Sequence, residues 1–163
     1  MPNVFEPEWQ QELVADGTVM RAARVGALAG GRQLGATLYE LEPGAAVSPL
    51  HVHHANEEML IVLSGEATVR RPESEWTAGP GEVIAFPAGA TGAHQIANRS
   101  DQPIRVLVVS TMRTPDVVEH PESGKVLAIA SRDDPSALHA FRLADEVPPW
   151  EGELSEPPRP VDQ

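Results

Sequence analysis

The chain has 163 residues, twelve of them Lys or Arg against twenty-four Asp or Glu, a formal charge of −12 and no cysteine. That length suits one domain burying roughly two-thirds of its unfolded surface, with no room for a second catalytic domain. The acidic balance repels phosphate backbones and anionic lipids, so neither nucleic acid nor membrane is an expected partner, and without thiols any metal must be held by His and carboxylate.

The first ten residues carry Glu6 and Glu8 and lack both a basic start and an apolar run, and no later stretch approaches the ~20 apolar residues of a membrane span. The expectation is a soluble, cytoplasmic protein. Residues 1–33 read as an N-terminal arm, with a strand expected over 20–29. The core is placed at 34–112, where short apolar alternations are broken by Gly, Pro, Asn and Asp at the spacing of antiparallel strands in a sandwich or barrel. Leu34, Ala36 and Leu38 share one strand face, and the run 59–63 is apolar on both faces, which favours a double sheet. Ser64-Gly65, Gly79-Pro80-Gly81 and Pro87-Ala88-Gly89 are turn punctuation. They separate strands expected at 66–70, 83–86, 94–97 and 104–110. Residues 113–146 read as an extension packing on the barrel, with strands at 126–130 and 140–143. From 147 onward five prolines alternate with Glu151, Glu153 and Glu156, a composition that builds no packed core. That tail is expected to be disordered, the alternative being that it lies across a neighbouring subunit.

Two stretches carry chemistry. In the first, His51 and His53 on one strand project to the same side, and a turn through residues 54–57 returns Glu58 to that side in register with Leu60 and Val62. Glu57 is the rival carboxylate, but strand parity favours Glu58. In the second, His94 shares a face with Ile96 on another strand. One histidine on an apolar strand is more often packing than ligand; three with a carboxylate inside a barrel are different, because an unpaired buried carboxylate costs several kcal/mol unless a cation compensates it. His54, His120 and His139 stand alone and read as surface or packing residues. Residues Gly26, Gly30 and Gly31 do not form a phosphate cradle, and no Gly-x-Ser-x-Gly elbow occurs.

These stretches resemble the two signature motifs of the cupin superfamily. Gly44, His51, His53, Glu58 and Gly65 follow the first, and Gly81, Pro87, Gly89, His94 and Asn98 the second. Six residues separate Gly44 from His51 where the common pattern has five, and four separate Gly89 from His94 where it has two. The resemblance implies an all-β fold, a double-stranded β-helix or jelly-roll cupin barrel. It also implies one divalent metal ion per chain on His51, His53, Glu58 and His94. An N3O ligand set suits Fe, Mn, Ni, Co or Zn. In an octahedral ion it leaves two adjacent positions for oxygen ligands.

The implied function is a metal-dependent enzyme of dioxygenase, isomerase or decarboxylase type acting on a small oxygen-bearing molecule. The alternative is a noncatalytic binding or sensing protein using the same cavity. A DNA-binding helix-turn-helix has no place in the arm or the tail. A homodimer is expected, since cupins commonly pair and strands apolar on both faces need a second cover.

Overall fold

In the computed structural model, which describes residues 1–15 and 17–153, thirteen strands fall into three sheets. The largest has six strands in the order β1 (Gln11–Ala15), β2 (Thr18–Ala23), β3 (Gly35–Leu41), β10 (Ile104–Ser110), β5 (Glu58–Ser64) and β8 (Val83–Phe86). Facing it is a three-stranded sheet, β7 (Ser74–Ala78), β6 (Ala67–Arg71) and β9 (Gln95–Ala97). The third, β13 (Leu138–Arg142), β12 (Lys125–Ile129), β11 (Asp116–His120) and β4 (Val52–His53), joins the C-terminal extension to the core. Neighbouring strands pair antiparallel throughout. This is the expected jelly-roll, an all-β double sheet not closed into a continuous barrel.

The alternation in each strand explains where the core sits. Leu41 on β3, Leu60 and Val62 on β5, and Val106 and Val108 on β10 pack inward against Val69 and Ile96 of the smaller sheet. The opposite face of the large sheet is also apolar. Leu38 joins Ala23 and Val25 there, with Val4, Trp9, Leu63 and Leu107 against them. At about 25 cal/mol per Å² of apolar area, this second layer stabilises the fold in the same way as the inner one. The second cover expected for that face therefore comes, in part, from the chain's own N-terminal arm.

The arm departs from the strand expected over 20–29. β2 ends at Ala23, and a single helical turn, Val25–Leu28, follows. The reason lies in close packing, because a Cβ at Gly26 would press on the backbone nitrogen of Ala36. Two strands have no counterpart in the sequence reading of the extension and arm, β11 and β1. The expectation for the tail falls mostly on residues 154–163, outside the described residues. No helix among the described residues is long and apolar enough to cross a membrane.

Candidate metal centre

His51 and His94 form an antiparallel bridge, their backbones exchanging two hydrogen bonds of 3.0 Å. His53 ends β4, and Glu58 begins β5. The structure groups His51, His53 and Glu58 as possible ligands, and His94 stands beside Glu58 but outside that group. His94 Nε2 lies 3.4 Å, His53 Nε2 3.7 Å and His51 Nε2 4.0 Å from the Glu58 carboxylate. One ligand atom each from His51, His53 and Glu58 can be chosen within 4.8 Å of one another. His54 turns outward, its Nε2 3.1 Å from the Glu119 carboxylate, and Glu57 is exposed, as the parity argument requires.

The inward nitrogens are set by what holds the outward ones. His94 Nδ1 is 2.8 Å from the Gly92 carbonyl oxygen, and His51 Nδ1 is 3.1 Å from the Pro49 carbonyl oxygen and 3.0 Å from Ser48 Oγ. A carbonyl only accepts, so those Nδ1 atoms donate and leave the Nε2 lone pairs facing Glu58. His53 Nδ1 donates to Asp116 Oδ2 at 2.6 Å. Phe86 stacks on the His94 ring at 3.7 Å and 4°, fixing its plane.

The two departures from the common motif spacing are where these acceptors arise. The longer loop before His51 contains Ser48 and Pro49. The longer loop before His94 forms a short 3₁₀ turn, Ala90–Gly92, and supplies the Gly92 carbonyl. Gly92 has to be glycine, since an added Cβ would overlap the Pro87 carbonyl oxygen.

Asp116 was not found by sequence reasoning. It is buried on β11 and also accepts from the Ala55 N–H at 2.9 Å and from Asn56 Nδ2 at 2.7 Å. Burial alone would raise its pKa, but the bond from His53 and those from Ala55 and Asn56 hold it below the usual range. Asn56 is itself fully engaged. Its Oδ1 takes the Arg113 N–H and the Thr111 hydroxyl, while Nδ2 also donates to the Arg113 carbonyl. His120 reads from the sequence as a surface or packing residue like His54 and His139, and in the structure its ring stacks beside that of His51 at 6.1 Å. The signal missed for both was β11, a five-residue strand between Pro115 and Pro121 that pairs with β4.

Electrostatics leave the cluster one economical solution. Burial, with His94 and His53 nearby, pushes His51 down to about 4, so it is neutral near pH 7. Burial would raise the Glu58 carboxyl, but His94, when it carries a proton on Nε2 as well, and the charge of the neighbouring imidazoles in that form bring it below its ordinary value; a divalent cation would take that proton's place. An ionised carboxylate with neutral imidazole lone pairs turned toward it is a donor set for a divalent cation. Side chains of His51, His53 and Glu58 are 10%, 13% and 13% exposed against 3% for His94, so solvent reaches the cluster from the His51 and His53 side.

Residues 37–110 match the family described as Cupin domain. No curated protein matches the chain significantly. Among solved structures, a sugar phosphate isomerase of the cupin superfamily from Silicibacter pomeroyi DSS-3 is 29% identical, covering 89% of this chain and 94% of that one with a TM-score of 0.75. A putative sugar phosphate isomerase from Acidithiobacillus ferrooxidans is also 29% identical, over 83% of this chain and 86% of that one, with a TM-score of 0.73. A predicted oxalate decarboxylase from Thermotoga maritima, 19% identical over 69% of this chain and 99% of its own with a TM-score of 0.56, shares the fold. The jelly-roll topology, the domain match and a cupin-superfamily structure that superposes over most of the length make this chain a small cupin-fold protein.

Proposed function

We propose that His51, His53, Glu58 and His94 hold one divalent metal ion, and that the protein is a metal-dependent enzyme of isomerase type acting on a phosphorylated sugar. The observation that carries the metal is the orientation of the three imidazoles, with Nδ1 donating outward and Nε2 directed at an ionised carboxylate. The substrate class is supported by the two sugar phosphate isomerases, similar over more than four-fifths of both chains.

When bound, the ion supplies Lewis-acid polarisation of a substrate carbonyl or hydroxyl oxygen. The chain's own residues do the rest. Asp116 orients His53 and sustains its basicity. The Gly92 carbonyl and the Phe86 ring lock His94. Phe86 and Leu60 line the inner side and exclude water from beneath the cluster. A sugar isomerisation moves a proton between adjacent carbons, so the site must present a substrate face to the open side, where His51 and His53 lie.

Metal content by mass spectrometry, on protein purified without chelator and then loaded with Mn(II) or Fe(II), is expected to approach one ion per chain. It should fall tenfold or more in His51→Ala and Glu58→Ala. Stoichiometry near zero in the loaded wild type would sink the metal reading. Deuterium uptake from D2O into aldose or ketose phosphates, followed by NMR, tests the isomerase reading, which fails if none of them exchanges carbon-bound hydrogen.

The same reading includes a homodimer. Leu138, Phe141 and Leu143 on the C-terminal extension and Trp150 at the start of the tail expose large apolar groups, a surface suited to a second copy. Sedimentation showing a monomer at every concentration up to the solubility of the protein would remove it.

A further inference from the structure

Ser110 ends β10. Ile104, Val106, Val108 and Ser110 form that strand's buried row, and the register sets Val106 against Val62, Val108 against Leu60 and Ser110 against Glu58. Ser110 is therefore the cross-strand neighbour of Glu58, with Cβ atoms about 5 Å apart. The residue is 8% exposed, and its Oγ is buried with no hydrogen-bond partner among the described residues. An unpaired buried hydroxyl destabilises the fold, and the preceding positions of the same row are Val and Ile. Packing alone gives this position no reason to be polar.

The surroundings show what could meet it. On the other side of β10, β3 sets Gly35 opposite Ser110 and Thr37 opposite Val108. Tyr39 follows on the same face of β3, its phenol held above the usual range by burial first and by the charge of Glu58 second. Hydroxyl groups thus line one flank of Glu58. The opposite flank is apolar, since Phe86 pairs with Glu58 across β5 and β8. A ligand made only of flat carboxylates has no use for that asymmetry. A polyhydroxylated carbonyl compound has.

We infer that Ser110 is a specificity-determining residue, whose Oγ hydrogen-bonds a substrate hydroxyl next to the oxygens that meet the metal. This rests on the metal-dependent reading above, and the test separates the two. Acetohydroxamate and glycolohydroxamate present the same chelating oxygen pair, and the second adds one hydroxyl on the neighbouring carbon. Mn(II) affinity is measured first by calorimetry on the full chain, then the affinity of each hydroxamate for the loaded protein. Wild type is expected to bind glycolohydroxamate about fivefold to tenfold tighter, a span set by one hydrogen bond. Ser110→Ala should abolish that preference while leaving Mn(II) and acetohydroxamate affinities within about twofold and the urea midpoint equal or higher. Ser110→Thr, which keeps the hydroxyl, should retain part of it. Three results would overturn the inference: equal affinities in wild type, a preference that survives in Ser110→Ala, or a tenfold loss of Mn(II) affinity in that variant, which would make Ser110 a positioner of Glu58. A wild type that takes up no Mn(II) overturns the metal reading itself, and the inference with it.

Discussion

Each imidazole of the cluster is anchored through Nδ1, but the anchors differ in kind. His51 and His94 lean on backbone carbonyls, whereas His53 leans on the buried carboxylate of Asp116. A carboxylate raises the basicity of the imidazole it holds far more than a carbonyl does, so Asp116 is the side chain whose loss should be felt at the site. Asp116→Asn is expected to weaken Mn(II) or Zn(II) affinity by roughly 10- to 100-fold, measured by competition with a chromogenic chelator. An unchanged affinity would show that His53 is held by its backbone alone. At this scale the sequence was informative for residues inside the two motifs and blind to those that act on them. His51, His53, Glu58 and His94 are recoverable from period-two alternation and spacing. Asp116 is 58 residues beyond Glu58 in an unremarked Asp-Val-Val-Glu-His run, and only strand pairing reveals what it faces.

The elements that carry the cluster are short, and their loops do the placing. β4 has two residues and β9 three, so neither could hold a histidine rigidly by strand length. The 3₁₀ turn at Ala90–Gly92 compensates, returning the chain so that His94 bridges His51. Gly92→Ala would force the Pro87 carbonyl away and displace that turn. It should lower stability by about 2 kcal/mol or more and weaken metal binding in parallel, as urea midpoints and metal titration would show. A stable variant with normal metal content would refute the close-packing argument. The long strands of the core were legible because their apolar runs are bounded by Gly and Pro turns. β11 and β1 were not, because one is brief and proline-flanked and the other is exposed along its whole length.

For the molecule as a whole, the buried neutral histidine makes stability depend on acidity. The folded-state pKa of His51, about 4, lies below the unfolded value near 6.5, so the unfolded chain binds a proton that the folded one refuses. Stability is then fully present above about pH 6.5 and falls as the pH drops toward 4. The metal-free protein should lose about 3 kcal/mol over that window by denaturant unfolding. His51→Gln should flatten the slope; an equally steep slope in that variant would assign the effect elsewhere. Loading with metal should raise the melting temperature and steepen the acid loss, since protons and metal compete for the same nitrogens.

The pairing of β11 with β4 means that the C-terminal extension and the cluster open together. The strand that carries Asp116 is also the inner edge of the β11–β12–β13 hairpin series, tied down by the Arg70–Glu122 ion pair and the hydrogen bond between His54 and Glu119. Ligand binding stabilises only the states in which the site is intact, so local opening of this sheet becomes rarer when the site is filled. Amide hydrogen exchange at Val118 and Leu127, which pair with each other across β11 and β12, should slow on metal loading, although Leu127 belongs to neither motif. The arm strands β1 and β2, on the far edge of the six-stranded sheet, should exchange at unchanged rates. The extension thereby reports the state of a centre to which it contributes no ligand.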